Sequence, residues 1–332
     1  MHIPDNYLSP ATCAVMAVVM VPIWKTSVKK VKNELTKKRI PLMGVGAAFS
    51  FMVMMFNIPL PGGTTGHAVG ATLVALLLGP WAACISVTIA LLVQAVIFGD
   101  GGILAFGANS FNMAFIAPFI GYYTYNLIAQ RVKSDKGRYV AIFISSYIAI
   151  NTAALFASIE FGIQPLLFKD ALGMPLYSPY PLNISIPAMV LPHLAVAGVL
   201  EGIITAGVYG FVKKVSPGII VDGLKLKMKP IYGLLIGMIC ISPLGLLATG
   251  TAWGEWGTDE IDSVLTNGNA LGFIPKGMQN GFNFKTIIPD YSVSGISEIM
   301  GYILSAIGGV AIIIILFKLI SGIKRSQQKS EF

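Results

Sequence analysis

Charge is scarce in this chain. Asp, Glu, Lys and Arg make up 11% of its residues, against about 25% in an ordinary soluble domain. Hydrophobic residues make up 55%, and the mean hydropathy is +0.75. Such a surface excludes water as the main solvent. Cysteine is nearly missing. Cys13, Cys84 and Cys240 each sit in an apolar stretch with no C-x-x-C, which excludes a disulfide framework or a zinc knuckle and leaves small buried hydrophobes. No G-x-x-x-x-G-K-[ST], H-E-x-x-H or G-x-S-x-G occurs. The chain therefore lacks the marks of a P-loop ATPase and of common hydrolases, and neither a catalytic residue nor a cofactor is expected. Positive charge is absent ahead of the first apolar stretch, where a signal peptide carries it. Residues 10–23 read instead as a retained first helix. The net charge of +8 comes without a basic patch interleaved with aromatics, so no nucleic-acid partner is expected.

What is present is a series of apolar stretches at about 10–24, 40–60, 68–98, 103–128, 139–160, 186–212, 230–250 and 296–317. Twenty of the 23 basic residues fall in four segments, Lys25–Arg39, Arg131–Arg138, Lys213–Lys229 and Lys318–Lys329. Such concentration marks cytoplasmic segments. The chain must then cross an even number of times between the first two segments, yet only three stretches lie there. The stretch 68–98 would span about 46 Å as one helix, too long for a hydrocarbon core of about 30 Å. Gly79-Pro80 interrupts it, and the residue before a proline resists helix. A short helix at 68–78, a turn at 79–81 and a full helix at 82–98 resolve the parity. The expected fold is all-α and polytopic. It has nine helical crossings including this broken pair, the N-terminus outside and the C-terminus cytoplasmic. The loop 251–295, with Glu255, Asp259, Glu260, Asp262 and Asp290, forms an external cap.

The chain has three histidines, His2, His67 and His193, all near the outer face in this topology. A histidine at position 2 has particular chemistry. The amine of Met1, the backbone nitrogen of His2 and its ring Nδ1 can chelate one ion, and His67 can supply a fourth nitrogen. Planar nitrogen coordination suits Ni(II) or Cu(II), and displacing the amide proton makes binding weaken at low pH. Composition alone favours a plainer reading, with His2 an incidental second residue and His67 a loop histidine. Asp5 reads as a cap ahead of Ser9-Pro10 or as a second-layer carboxylate. Glu160 lies near an outer helix end, within reach of water. Glu201, two turns after His193, pairs with it structurally or lines a transport path. Asn109, Ser110 and Asn112 cap a helix or bond a liganding imidazole.

Met1-His2-Ile3-Pro4-Asp5-Asn6-Tyr7-Leu8-Ser9-Pro10 resembles the MHIPDG(F/Y)LSP opening of the CbiM/NikM proteins, the substrate-binding (S) components of energy-coupling-factor (ECF) transporters for cobalt and nickel. Pro61 to Gly70 followed by Leu78-Gly79-Pro80-Trp81-Ala82-Ala83 resembles the family's GTSGH…LLGPWAA pattern. Gly107-Ala108-Asn109 and Pro192-His193-Leu194…Glu201-Gly202 also match. The likeness covers about residues 1–215. It implies a metal site made of Met1, His2 and His67, and so decides for the chelate over the plainer reading. Asn6 departs from the usual glycine but removes no ligand. Ile288 to Gly295 is similar to the PDY/PDG motif of a NikN/CbiN-like (PDGLE-type) component.

The expected organisation is a membrane-embedded metal-binding part at 1–218, a cytoplasmic basic linker at 219–229 and a two-crossing module at 230–332. The resemblance implies capture of Ni(II) or Co(II) at the outer face of the cytoplasmic membrane, with a transmembrane coupling (T) subunit and separate ATPase subunits as partners. Ala11, Ala14 and Ala17 offer a close-packing face for the coupling subunit, or simply face lipid. The rival readings are a secondary transporter of an organic solute, which needs neither a free N-terminus nor His67, and an intramembrane enzyme using His193 and Glu201.

Overall fold

The computed structural model describes residues 1–34, 40–221, 226–266 and 269–329. Of the expected basic segments, Lys37, Lys38, Arg39 and Lys225 lie outside them. The described residues are mostly helical, and their strands are confined to two short hairpins. Helix α1 spans Pro10–Glu34 and α2 Ile40–Met54; α3 spans Ala71–Leu78. Helix α4, Pro80–Val93, continues through a π-turn at Gln94–Phe98. Helix α5, Phe106–Asn109, passes through a second π-turn, Ser110–Ile116, into α6, Ala117–Ala129. Helix α7 spans Asp135–Gly162, and α8 is the single turn Gln164–Leu167. Helix α9, Leu182–Pro192, runs through a third π-turn, His193–Ala197, into α10, Gly198–Val215. Helix α11 is Lys229–Ile241, α12 the single turn Lys276–Gln279, and α13 Glu298–Lys329. Among the described residues, six helical runs are long and apolar enough to cross a membrane. This is an integral membrane protein.

The break expected inside 68–98 is present but is confined to Gly79, since Pro80 and Trp81, expected in the turn, already belong to α4. Gly79 adopts φ 89, a conformation that L side chains avoid, and Pro80 opens α4 at its first position, where a missing N–H does no harm. Two helices show how burial sorts the bundle. Helix α2 is apolar all round and buries thirteen of its fifteen residues, as a central helix must. In α1 only 17% of the most apolar window is buried. Ala11 and Ala14 are exposed on that face, while Ala17 packs against Gly107 of α5.

The part after residue 226 does not stand aside. Helix α13 lies along α2 so closely that a Cβ on Gly309 would fall 2.2 Å from the Phe51 ring. The loop 251–295 carries the hairpin β3–β4 (Leu265–Thr266, Asn269–Ala270), α12 and a tight turn at Pro289–Tyr291. It folds over the end of the bundle where the N-terminal segment and the hairpin β1–β2 (Ile58–Leu60, Thr64–Gly66) also lie.

Candidate metal centre

The Ser9 hydroxyl accepts the Thr12 N–H at 3.0 Å to begin α1. Residues 1–9 thus enter the bundle as non-helical chain, with Met1 4%, His2 1% and Ile3 0% exposed. Buried backbone groups need partners, and Asn109 supplies them. Its Oδ1 accepts the Ile3 N–H at 2.8 Å and its Nδ2 donates to the Ile3 carbonyl at 3.0 Å. Asn109 therefore neither caps a helix nor bonds an imidazole; it holds the N-terminal strand. Asp5 is likewise not the cap of α1. Its carboxylate accepts the N–H groups of Ile103 at 3.0 Å and Leu104 at 2.7 Å. Gly102 lies so near that a Cβ there would sit 2.5 Å from the Asp5 nitrogen.

His67 follows the β1–β2 hairpin and is buried. Its Nδ1 lies 3.0 Å from the Ala68 carbonyl oxygen. A carbonyl only accepts, so Nδ1 carries the proton and Nε2 keeps its lone pair. That Nε2 lies 3.1 Å from His2 Nδ1, and the two rings are 4.9 Å apart. Asp100 Oδ1 is also 3.1 Å from His2 Nδ1, so one proton on Nδ1 faces two acceptors. Two nitrogens bound cis to one ion at about 2.0 Å lie about 2.8 Å apart, close to the separation already present. The Met1 amine is buried and faces Glu255 Oε1 at 3.6 Å. Burial, with the adjacent N-terminal charge, pushes the His2 imidazole down to about 3. Burial, then His2, holds His67 well below its usual value. Both rings are therefore neutral, as ligands must be. Among the described residues no group of three or more His, Cys, Asp or Glu side chains is arranged to hold an ion.

Glu201 is not paired with His193. It reaches across to the start of α3, where its carboxylate accepts the N–H groups of Val69 at 2.7 Å and Gly70 at 3.0 Å, two residues beyond His67. A carboxylate at a helix N-terminus is favourable. His193 Nδ1 donates to the Met189 carbonyl at 2.7 Å, and the ring borders a small void together with Met1. Glu160 does not reach water; it is buried and accepts from Asn112 Nδ2 at 2.8 Å. The sequence carried no sign of the roles of Asp100, Gln94 and Glu255. Gln94 and His193 open the first and third π-turns, and Asn109 directly precedes the second; such turns gather at functional sites.

The loop 251–295 closes over this arrangement. Tyr7 donates to the Trp256 carbonyl at 2.9 Å, and Asn6 exchanges two bonds with the Phe282 backbone, at 2.8 and 2.9 Å. A polar cleft of about 420 Å³ remains between them, with Asp5, Gly101 and Glu255 on its walls.

The profile of the cobalt uptake substrate-specific transmembrane region, CbiM, matches residues 2–219. The chain belongs to the CbiM family. The profile of the PDGLE domain matches residues 227–326 of this family member. It is similar over its whole length to the probable fused nickel transport protein LarMN of Lactiplantibacillus plantarum, with 49% identity over 96% of this chain and 97% of the relative. It is also similar to the fused nickel transport protein NikMN of Rhodobacter capsulatus, with 42% identity over 98% of each chain. A crystal structure of a truncated transition metal transporter is 55% identical over 64% of this CbiM-family chain and 99% of that one, with a TM-score of 0.61.

Proposed function

We propose that the protein captures Ni(II) or Co(II) at the outer face of the cytoplasmic membrane as the S component of an ECF-type importer. The observation that carries this is the 3.1 Å approach of His67 Nε2 to His2 Nδ1 beside the buried amine of Met1. The ion takes the place of the proton on His2 Nδ1. The Met1 amine, the His2 amide nitrogen and His2 Nδ1 form one chelate, and His67 Nε2 closes the plane. Planar nitrogen donors favour nickel, and the relatives named above are nickel transport proteins. The α1 end that carries Met1 faces outward by the distribution of basic residues, with nine crossings in all. The protein performs no bond-making chemistry. ATP hydrolysis comes from separate subunits, coupled through a T subunit whose movement against this chain releases the ion inward.

Calorimetric titration with Ni(II) and Co(II) tests the reading, using protein with its native N-terminus beside a form with one residue added before Met1. One-to-one binding lost on extension is the expected result, because the added residue turns the amine into an amide. Binding indifferent to the extension removes the chelate, and binding of neither ion returns the organic-solute reading.

A further inference from the structure

We propose that the polar cleft under the loop 251–295 is a second cation position, which holds a hydrated divalent ion before it sheds its water and enters the capture site. This rests on Met1, His2 and His67 being that site.

Size favours the cleft as the approach. The capture residues are shut away from solvent, with Met1 4%, His2 1% and His67 6% exposed. A divalent ion in water arrives with about six waters, and at about 30 Å³ of liquid each these fill about 180 Å³. The void that Met1 shares with His193 measures about 10 Å³, barely room for one water. The cleft measures about 420 Å³ and takes the whole hydrated ion. On one side it is bounded by Thr258, Gln279 and Asn283, all exposed. On the other, its wall touches two of the proposed ligands. Glu255 Oε1 lies 3.6 Å from the Met1 amine, and a Cβ on Gly101 would lie 3.1 Å from His2 Cδ2.

Charge points the same way. The chain has a net charge of +8, yet among the described residues the charged ones that line the cleft are Asp5 and Glu255, both acidic. A cleft walled by one sign of charge concentrates the opposite ion. Of the carboxylates around the site, two are spent on protein donors. Asp5 accepts the N–H groups of Ile103 and Leu104. Asp100 faces His2 Nδ1 with one oxygen and with the other accepts from the Tyr291 hydroxyl at 2.5 Å and from Gln94 Nε2 at 2.9 Å. Among the described residues the Glu255 carboxylate has one charged partner, the Met1 amine, and it is 24% exposed. It is the carboxylate that addresses both the cleft and a proposed ligand. Waters on the ion donate to it, and the ion passes from there to the amine.

Asn283→Phe narrows the cleft from its exposed wall and leaves Met1, His2 and His67 as they are. The test mixes Ni(II) with full-length protein carrying its native N-terminus, as wild type, Asn283→Phe and Glu255→Gln, with rates read by stopped flow and affinity by titration. Asn283→Phe is expected to slow association about 10-fold, the low end of what changes along a binding route do, and to slow dissociation equally, so that affinity is unchanged. Glu255→Gln is expected to slow association about 10-fold, the low end of what a charged cleft adds to an on-rate. Hexaamminecobalt(III), a hydrated-ion mimic whose ligands do not exchange, is expected to slow Ni(II) association in wild type but not in Glu255→Gln, and to leave bound Ni(II) in place. An unchanged rate in either variant, no effect of the hexaammine ion on wild type, or displacement of bound Ni(II) by it overturns the proposal. The form with one residue added before Met1 separates the two readings. If that form loses Ni(II) while Asn283→Phe keeps the wild-type rate, only the cleft fails. If it binds Ni(II) as wild type does, the capture site itself is wrong and this proposal falls with it.

Discussion

Asn6 shows how one residue can join two parts of the chain. Its φ is 70, which explains why glycine suits the position in the family pattern, and asparagine is the side chain that best tolerates it. In exchange this chain gains two bonds to the Phe282 backbone. Asn6→Ala loses both the bonds and the tolerance, and is expected to lower stability by about 1–2 kcal/mol. Asn6→Gly should lose less, and thermal melts of the two variants compare them. The histidines give a second expectation at this scale. His2 is pushed from 6.5 to about 3 in the folded protein, so the unfolded chain takes up a proton first as pH falls. Folded-state stability is full above pH 6.5 and declines from there toward about 3. The melting temperature of metal-free protein should fall across that window, and less steeply in His67→Ala, which removes the second depressed imidazole. For metal, the order reverses in importance: His67→Ala should abolish tight Ni(II) binding. His193→Ala should keep most of it, since His193 spends its Nδ1 on Met189. Equal losses would bring His193 into the coordination sphere.

At the scale of elements, the site hangs on helix starts. Helix α3 is only eight residues long and begins at Gly70, in a left-handed conformation with no side-chain cap of its own. Glu201 of α10 takes the place of that cap, and so ties the loop bearing His67 to a helix more than a hundred residues away in sequence. Glu201→Ala leaves two buried N–H groups without an acceptor, an expected loss of about 3 kcal/mol or more. It should also weaken Ni(II) binding by loosening His67. Glu201→Gln keeps one acceptor and should recover part of both, as measured by denaturation and titration. Likewise, α5 begins under the carboxylate of Asp5. Gly102→Ala drives a methyl group into the Pro4–Asp5 backbone, and metal binding should fall as that segment is displaced.

For the whole molecule, the proposed site lies between the two matched regions. Residues 1–109 provide the nitrogens and their clamps, while Glu255, Trp256, Phe282 and Tyr291 close over them. Helix α13 completes the packing of α2, with Phe317 against Gly44 and Phe51 against Gly309. Chains cut after residue 226 and produced together are therefore expected to co-purify through detergent. Recovery of the two pieces separately would show that the covalent link, and not this packing, keeps the cover in place.

Much of this was written in local pattern. Apolar runs of spanning length, basic segments between them and the Gly79-Pro80 break are read within one window of chain, because the bilayer sets the length of each element and proline forbids its continuation. The chemistry of Met1 and His2 is equally local, since an amine, an amide and an imidazole in consecutive positions are a chelate by covalent connection. Only the tertiary structure decided what surrounds them. Nothing near Asn109, Asp5, Glu201 or Tyr291 in sequence announces a partner 98 to 191 residues away. A buried polar group takes whichever donor or acceptor the packing of other helices delivers. For the same reason Glu160, read as reaching water from a helix end, instead meets Asn112. The proposed ligands follow from chain order, and what packs around them follows from how the helices close.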